Sequence, residues 1–302
     1  MTTAVLGHLV LDEIHTHDGR RIESLGGIHF ALGTMAALAS EGEVIRPVFP
    51  IGVDARAPYD DVYAGRPAID ARWNPTVSDP STRVRLFHDT LQQYNTQLVR
   101  SLGPIDVRDM TAACADADLV YANMMTGEDL RIEDAVLLRD STQGLVYLDL
   151  HMIAYRVGAH GARSSAPIDG WIDWVRVPHV LQCNERELAS LGGSCADEDA
   201  RIDQIMECAD LRLLVITRGE AGATLVSGDG TRTHVPAATA STVVDPTGCG
   251  DAFGATLAWY LARGYDAVPA AQIAARAAAY VISIPGSIGL DALGAHLAME
   301  SA

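Results

Sequence analysis

The 302-residue chain contains no lysine: its 22 basic residues are all arginine, and 39 acidic residues bring the net charge to −17. Sites that depend on a lysine side chain are therefore excluded, among them the Walker P-loop and Schiff-base catalysis. The negative charge also argues against nucleic acid or an anionic membrane as a partner, because their phosphate groups would be repelled.

Cysteine is scarce, and long apolar runs are missing. The five cysteines are dispersed without C-x-x-C spacing, which is typical of reduced thiols and not of a disulfide framework or a zinc site. No run of about 18 apolar residues is free of charge, so no transmembrane helix is predicted. The amino-terminal residues carry no basic leader, so a signal peptide is not predicted and the cytoplasm is the expected location.

A composition of 48% hydrophobic and 20% charged residues is typical of a globular α/β protein. From residue 110 onward, strand-like and helix-like segments alternate, which predicts a mostly parallel sheet flanked by helices. Hairpin patterns at about residues 12–25 and 81–100 predict a small β lid. We expect one core domain over residues 1–302, without an internal repeat or linker.

The stretch VVDPTGCGDAFGATLA, residues 243–258, carries the strongest chemical signal. We expect Val243 and Val244 to end a strand, and the glycine loop to open a helix that aims its amides at a phosphate. A carboxylate beside bound phosphate is a poor ligand but a good base, which makes Asp251 the candidate base. A plain turn with a capping acid remains an equal alternative on this pattern alone.

A second signal is Asn184-x-x-Glu187, which follows a predicted strand. An amide and a carboxylate one helical turn apart can hold the water shell of a magnesium ion. The same spacing also forms a helix cap without any further function.

A third signal is the T-R-G-E-A-G loop after the strand RLLVI. Thr217, Gly219 and Gly222 could border nucleotide phosphates, with Arg218 neutralising their charge. A tight loop that needs glycine backbone angles is the simpler alternative.

The first strand pattern runs from Thr3 to Val10 and ends in Asp12. Ligands of open α/β sheets bind at the carboxyl ends of strands, so Asp12 is a candidate to bind a substrate hydroxyl. The pair Gly26-Gly27 precedes the first helix pattern and would allow the backbone to approach a ligand closely. A solvated acid and a tight turn are the simpler alternatives.

Taken in this order, the motifs resemble those of the ribokinase-like carbohydrate kinase family, the phosphofructokinase-B group, over almost the whole chain. The resemblance implies a three-layer α/β/α core with a β lid, ATP and Mg²⁺ as cofactors, and Asp251 as the catalytic base. The other implied roles are an anion hole (Gly248, Cys249, Gly250), magnesium and phosphate binding with water-held Mg²⁺ at Glu187 (Asn184, Glu187), nucleotide binding (Thr217, Gly219, with Gly222 in the same loop), a sugar pocket (Asp12, Gly26, Gly27) and a monovalent cation, K⁺ being the candidate (Asp245).

Two positions depart from the family pattern. Cys249 stands where alanine is usual, and Ala31 stands at a sugar-contacting position that is often asparagine. His29, Asn123 and Arg156 are further pocket candidates, for which a structural role is the simpler interpretation.

The resulting prediction is an ATP-dependent kinase that phosphorylates a hydroxyl of a sugar, cyclitol or nucleoside. The alternative is a non-catalytic sugar- or nucleotide-binding member of the same fold. A Rossmann oxidoreductase would need G-x-G-x-x-G after the first strand, which Gly7-His8-Leu9 does not supply. Because exposed lid edges often pair between subunits, a homodimer through the lid is a candidate assembly.

Overall fold

The computed structural model describes residues 1–16, 18–88 and 94–299. Its strands are β1 Thr2–Leu6, β2 Leu9–His15, β3 Arg21–Gly27, β4 Val44–Val48, β5 Ile51–Gly52, β6 Thr76–Val77, β7 Arg83–His88, β8 Tyr94–Arg100, β9 Leu119–Asn123, β10 Leu145–Asp149, β11 Tyr155–Val157, β12 Arg163–Ser165, β13 Val180–Asn184, β14 Leu213–Thr217, β15 Ala223–Ser227 and β16 Arg232–Val235. Its α-helices are α1 His29–Leu38, α2 Arg56–Tyr63, α3 Val107–Cys114, α4 Ile132–Ala135, α5 Leu138–Ser141, α6 Trp171–Arg176, α7 Glu185–Leu188, α8 Glu198–Cys208, α9 Cys249–Ala262, α10 Ala267–Val281 and α11 Leu293–Met299.

Eight strands form the central sheet, in the order β16-β15-β14-β13-β10-β9-β1-β4. The strands from β14 to β4 pair in parallel, whereas β15 and β16 are antiparallel. The predicted mostly parallel sheet is confirmed. In a parallel sheet the carboxyl ends of the strands share one edge, and loops at that edge can converge on a ligand.

Successive side chains of the central strands point to opposite faces of the sheet, so the core has two layers. On β10, Tyr147 packs in the layer that contains residues of α1, α9 and α10. Its neighbours Val146 and Leu148 pack in the opposite layer, with residues of α3 and α8. Both faces of the sheet are thus covered by helices, as the predicted three-layer α/β/α core requires. None of the described helices is long and apolar enough to cross a membrane.

A separate four-stranded sheet has the order β3-β2-β7-β8. Strands β2 and β7 are parallel, and the two outer pairs are antiparallel. The two predicted lid segments supply these four strands, although His17 and residues 89–93, which belong to those segments, lie outside the described residues.

The expected first strand from Thr3 to Val10 is wrong in its length. The chain leaves the central sheet at Leu6 and enters the four-stranded sheet at Leu9. Between them Gly7 has a φ of 146°, and a Cβ there would lie 2.4 Å from the backbone oxygen of Asn123. Only glycine fits this close approach, so the break is fixed by Gly7. Asp12 is consequently carried by β2 and not by a central strand.

The expectation that Val243 and Val244 end a strand is also wrong. The amides of Val244 and Asp245 both donate to the backbone oxygen of Ile282, just after α10. The segment is therefore tied to the end of a helix, and Val243 is 69% exposed. The hairpin formed by β11 and β12 was not predicted at all.

We expect Leu148→Ala to lower the free energy of unfolding by about 2–5 kcal/mol, because Leu148 is fully buried in the layer with α3 and α8 and its loss leaves a cavity. Chemical denaturation would measure the change. The matched control is Val136→Ala, whose valine is 41% exposed and should cost much less. Equal losses for the two variants would contradict the assignment of Leu148 to the core.

Candidate active site

One cleft lies between the carboxyl edge of the central sheet and the four-stranded sheet. Most of the residues singled out from the sequence line it, namely Asp12, Gly27, Asn184, Glu187, Thr217, Gly248, Gly250 and Asp251. Neighbouring strands place three of its polar side chains, because Asp149 ends β10, Asn184 ends β13 and Thr217 ends β14. The structure therefore brings together motifs that are far apart in the sequence.

The glycine loop opens α9 as expected. Gly248 is the residue before the helix and has a φ of 80°. A Cβ at Gly248 would lie 2.2 Å from the ring of Phe30, so glycine is required both by the backbone angle and by the packing. The first amides of a helix have no acceptor in a preceding turn. In α9 the amide of Cys249 makes one long bond of 3.4 Å to the backbone oxygen of Pro246, and the amide of Asp251 donates to its own carboxyl group, while Gly250 between them lines the cleft.

Asp251 lies in the first turn of α9, beside these amides. The side-chain amide of Asn123, at the end of β9, donates to Asp251 Oδ1 over 2.7 Å. Burial raises the pKa of Asp251 to about 7, although hydrogen bonds from Asn123 and from its own backbone lower it. A carboxyl group with this pKa can accept a proton near neutral pH. Asn123 is thus a contact of the candidate base.

Asp12 lies across the cleft on β2 and packs directly on Gly26. A Cβ at Gly26 would lie 1.7 Å from Asp12 Oδ2, so only glycine leaves room for this carboxyl group. Burial raises the pKa of Asp12 to about 7, with Arg163 lowering it and Asp251 raising it. Gly26 therefore shapes the cleft through Asp12.

Asn184 and Glu187 form a reciprocal helix cap at the start of α7. Asn184 Oδ1 accepts from the amide of Glu187 over 3.0 Å, and Glu187 Oε2 accepts from the amide of Asn184 over 2.9 Å. The capping alternative is therefore real, yet both side chains also line the cleft. Burial raises the pKa of Glu187 to about 7, and the charge of Asp251 adds to this.

Asp149 was not identified from the sequence. Its carboxylate accepts a hydrogen bond of 2.7 Å from Gln182, whose own oxygen accepts one from Tyr147. Burial raises the pKa of Asp149 well above its usual value, and Glu187 and Asp251 raise it further. Its position at the end of the predicted strand GLVYLD was the available signal, the same that pointed to Asp12.

The Thr217–Gly222 loop meets the expectation only in part. Thr217 lines the cleft, whereas Gly219 is exposed and a Cβ there would meet nothing. Gly222 packs against the chain after β16, since a Cβ would lie 2.1 Å from the backbone oxygen of Val235. The prediction that Arg218 neutralises phosphate charge is not met in this structure, because its guanidinium pairs with Glu185 and Glu198.

Cys249 and Asp245 lie near the cleft without lining it in the part of the chain that the structure describes. Cys249 Sγ donates to the backbone oxygen of Pro246, and burial raises the pKa of the thiol to about 12. Asp245 accepts hydrogen bonds from the amides of Thr247 and Gly286, over 2.9 and 3.2 Å. These bonds fix the loop before the helix.

Two of the other early candidates lie elsewhere. His29 is buried against Tyr63, and Arg156 pairs with Asp169 on the surface. Two further lining residues, His151 and Arg163, had no sequence signal. His151 has a φ of 40°, which is a strained backbone conformation for a residue with a side chain.

The carboxyl groups of Asp149 and Glu187 supply the oxygen ligands that Mg²⁺ prefers, and Mg²⁺ usually keeps several of its waters. The charges of Glu187 and Asp251 raise the pKa of Asp149, so a cation bound near these carboxyl groups would relieve repulsion. Over residues 1–16, 18–88 and 94–299, no group of three or more His, Cys, Asp or Glu side chains is placed to hold a metal directly.

Comparison with known proteins gives a family match for the second half of the chain. Residues 163–292 match the pfkB family carbohydrate kinases. The bifunctional protein HldE of Nitrobacter winogradskyi is 30% identical over 222 residues, which are 70% of this chain and 43% of that protein. HldE of Bradyrhizobium diazoefficiens is 27% identical over 310 residues, or 95% and 60% of the two chains. The chain thus spans about half the length of these curated relatives.

Solved structures share the fold over nearly the full chain. A Burkholderia thailandensis nucleoside kinase in complex with inosine has a TM-score of 0.75, with 21% identity over 99% of this chain and 96% of that one. Arabidopsis thaliana ribokinase with ribose and ATP has a TM-score of 0.73, with 16% identity and coverage of 98% and 97%. A pyrophosphate-dependent kinase in the ribokinase family, complexed with a pyrophosphate analog and myo-inositol, has a TM-score of 0.76. Its sequence is 16% identical, over 95% of this chain and 96% of that one. Together with the family match, they confirm the resemblance to ribokinase-like carbohydrate kinases.

We expect Asp251→Asn to stabilise the fold at pH 8. The pKa of Asp251 rises from 3.8 to about 7 on folding, so between these values the folded chain holds a proton that the unfolded chain has lost. As the pH rises through this range, the parent protein loses free energy of unfolding. The Asp251→Asn protein does not, because asparagine does not titrate. The gain should be about 1–2 kcal/mol at pH 8, allowing for partial exposure, and should vanish near pH 4.

Chemical denaturation of both proteins without magnesium, at pH 4 and pH 8, measures this difference. The exposed Glu41→Gln variant is the control and should show no comparable gain at pH 8. An Asp251→Asn protein no more stable than the parent at pH 8 would be evidence against a raised pKa.

Proposed function

We propose that this ribokinase-like chain is an ATP-dependent phosphotransferase that phosphorylates a hydroxyl group of a sugar, cyclitol or nucleoside. One observation carries the proposal: Asp251, with a pKa of about 7, lies in the first turn of α9 and shares one cleft with Asp12 and Glu187. A base, helix amides suited to an anion, and an acidic hydroxyl-binding group are thereby combined.

In the proposed reaction Asp251 takes the proton of the acceptor hydroxyl as its oxygen bonds to the transferred phosphorus. The bond from that phosphorus to the bridging oxygen of ATP would break, and its electron pair would leave with ADP. The proton would remain on Asp251 until the products leave. The amides of Gly248 to Gly250 would hold the negative charge of the transferring group. Bound ATP would supply the phosphoryl group, and bound Mg²⁺ would neutralise part of its charge.

The acceptor would be oriented by Asp12, whose carboxyl group can bind a hydroxyl beside the reacting one. Asn184 and Glu187 would hold the waters of Mg²⁺, and Thr217 would border the phosphates. The four-stranded sheet would act as a lid that excludes water, since water is a competing acceptor.

A groove beside the Gly222 loop favours a nucleotide over pyrophosphate as the donor. Its lining is largely apolar and consists of Pro236, Ala237, Ala238, Pro269, Gln272, Ile273, Ala275 and Arg276. Gly222 packs on Val235 and Ala237, so the groove continues from the loop that would border the phosphates. A flat base fits apolar walls of small side chains, whereas pyrophosphate would leave them unused.

Three further parts of the proposal follow the family. We expect a monovalent cation, K⁺, near Asp245, a cytoplasmic location, and a homodimer through the outer edge of β3, which pairs only with β2 among the described strands. The other edge, β8, is partly covered, because Gln97 forms an isolated bridge with Ala162.

A donor and acceptor screen tests the activity. Purified chain with Mg²⁺ should release ADP from ATP in the presence of at least one pentose, hexose, inositol or nucleoside, with and without K⁺. A parallel assay of phosphate release from pyrophosphate should be at least tenfold slower. Calorimetric binding of ligands without turnover of any donor would instead support the non-catalytic alternative.

Asp251→Asn tests the base. We expect kcat to fall by about 10²–10⁴-fold, because asparagine cannot accept the proton, while the KM for ATP stays within about threefold. Steady-state kinetics at pH 8 measures both constants, and the exposed Glu41→Gln variant serves as the control. An Asp251→Asn enzyme with the kcat of the parent would contradict the assignment of Asp251 as the base.

A further inference from the structure

A hairpin that the sequence did not reveal joins the two sheets at the cleft. Strands β11 and β12 pair antiparallel, and between them Ala162 forms a bridge with Gln97 of β8. Gly161 has a φ of 79°, and a Cβ there would lie 2.1 Å from the backbone oxygen of Leu98. Only glycine allows this packing, so the hairpin is held against the four-stranded sheet. Arg163, the first residue of β12, is thereby delivered into the cleft.

The guanidinium of Arg163 has few partners there. Its Nη2 reaches the backbone oxygen of Met125 at 3.4 Å, which is a weak contact, and its Nε is buried with no hydrogen-bond acceptor. No carboxylate of the described residues forms an ion pair with it, whereas Arg218 pairs with two. Burial lowers the pKa of Arg163, and the charges of Asp129, Asp12 and Glu128 oppose the shift without forming an ion pair among the described residues. An arginine held in this way is costly unless a ligand supplies the missing partner.

The position of Arg163 places it at the acceptor end. Asp12 is close enough to both Arg163 and Asp251 for each charge to act on its carboxyl group. Arg163 enters on the hairpin that packs against β8 of the four-stranded sheet, whereas Asp251 enters from α9. The guanidinium and the candidate base therefore line the cleft from different walls, and both act on Asp12.

We infer that Arg163 binds an anionic group, a phosphate monoester or a carboxylate, carried by the acceptor at a distance from the hydroxyl that is phosphorylated. This inference rests on the proposed function and narrows its substrate class to acidic sugar or polyol derivatives. The planar guanidinium fork matches both kinds of anion with two parallel hydrogen bonds.

The acidic surroundings are compatible with such an acceptor. Asp12, the carboxyl group on which both charges act, has a pKa of about 7 and is therefore substantially protonated at neutral pH. In that form it repels a neighbouring anion little and can donate a hydrogen bond to it.

Paired acceptors test the inference with ATP and Mg²⁺. The pairs are ribose with ribose 5-phosphate, fructose with fructose 6-phosphate, and glucose with gluconate, which separates phosphate from carboxylate recognition. We expect kcat/KM for at least one acidic member to exceed that for its neutral partner by about tenfold or more. In Arg163→Gln the acidic-to-neutral ratio of kcat/KM should fall about tenfold, to about one, mainly through the KM for the acidic acceptor. Arg163→Lys should recover part of it, because lysine keeps the charge without the fork.

Arg156→Gln is the matched control. Arg156 lies on the same hairpin but faces away and pairs with Asp169 over 2.6 Å, so its loss should leave the ratio unchanged. Thermal unfolding of the three variants would show whether they fold equally well.

Neutral acceptors used as well as acidic ones, or an Arg163→Gln enzyme with an unaltered ratio, would overturn the inference and leave the kinase proposal intact. If no acceptor is phosphorylated, the kinase proposal fails on its own. The inference is then decided by calorimetric titration of ribose 5-phosphate and gluconate into the parent and Arg163→Gln proteins. Tenfold weaker binding to the variant supports it, and equal binding refutes it.

Discussion

The burial of four carboxyl groups in one cleft is the constraint on which the site depends. Burial raises the pKa values of Asp12, Asp149, Glu187 and Asp251, and charges within the group raise three of them further. Neutral amides, rather than cations, hold three of these acids, in the pairs Asn123–Asp251, Gln182–Asp149 and Asn184–Glu187. An amide satisfies a carboxylate without cancelling its charge, so the site keeps its affinity for protons and cations.

That arrangement demands a rigid frame, because a carboxylate displaced toward solvent would lose its raised pKa. The frame comes from the carboxyl ends of β9, β10 and β13 in the central sheet. Glycines at Gly26 and Gly248 then bring Asp12 and the first turn of α9 close to the cleft, at distances that any Cβ would prevent. The absence of a side chain at Gly26 and Gly248 thus helps to set where the acidic groups of the cleft lie.

The two walls of the cleft come from different parts of the chain. The family match begins at residue 163 and contains Asn184, Thr217 and Asp251. The opposite wall is built from earlier residues, including Asp12 on β2 and Thr96 on β8. Under the proposed function, the later residues would bind the phosphates and the earlier residues would bind the acceptor.

The sequence by itself determined the parallel core, the glycine loop before α9 and the place of Asp251 at the start of that helix, because hydrophobic alternation and local turn chemistry act over a few neighbouring residues. It also indicated Asn184 and Glu187, whose spacing is a local property of one helix start. Only the tertiary structure decided that β1 breaks at Gly7, that Arg218 is already paired, and that Asp149 and Arg163 enter the cleft. Those outcomes depend on contacts between residues distant in the chain, which no local pattern encodes.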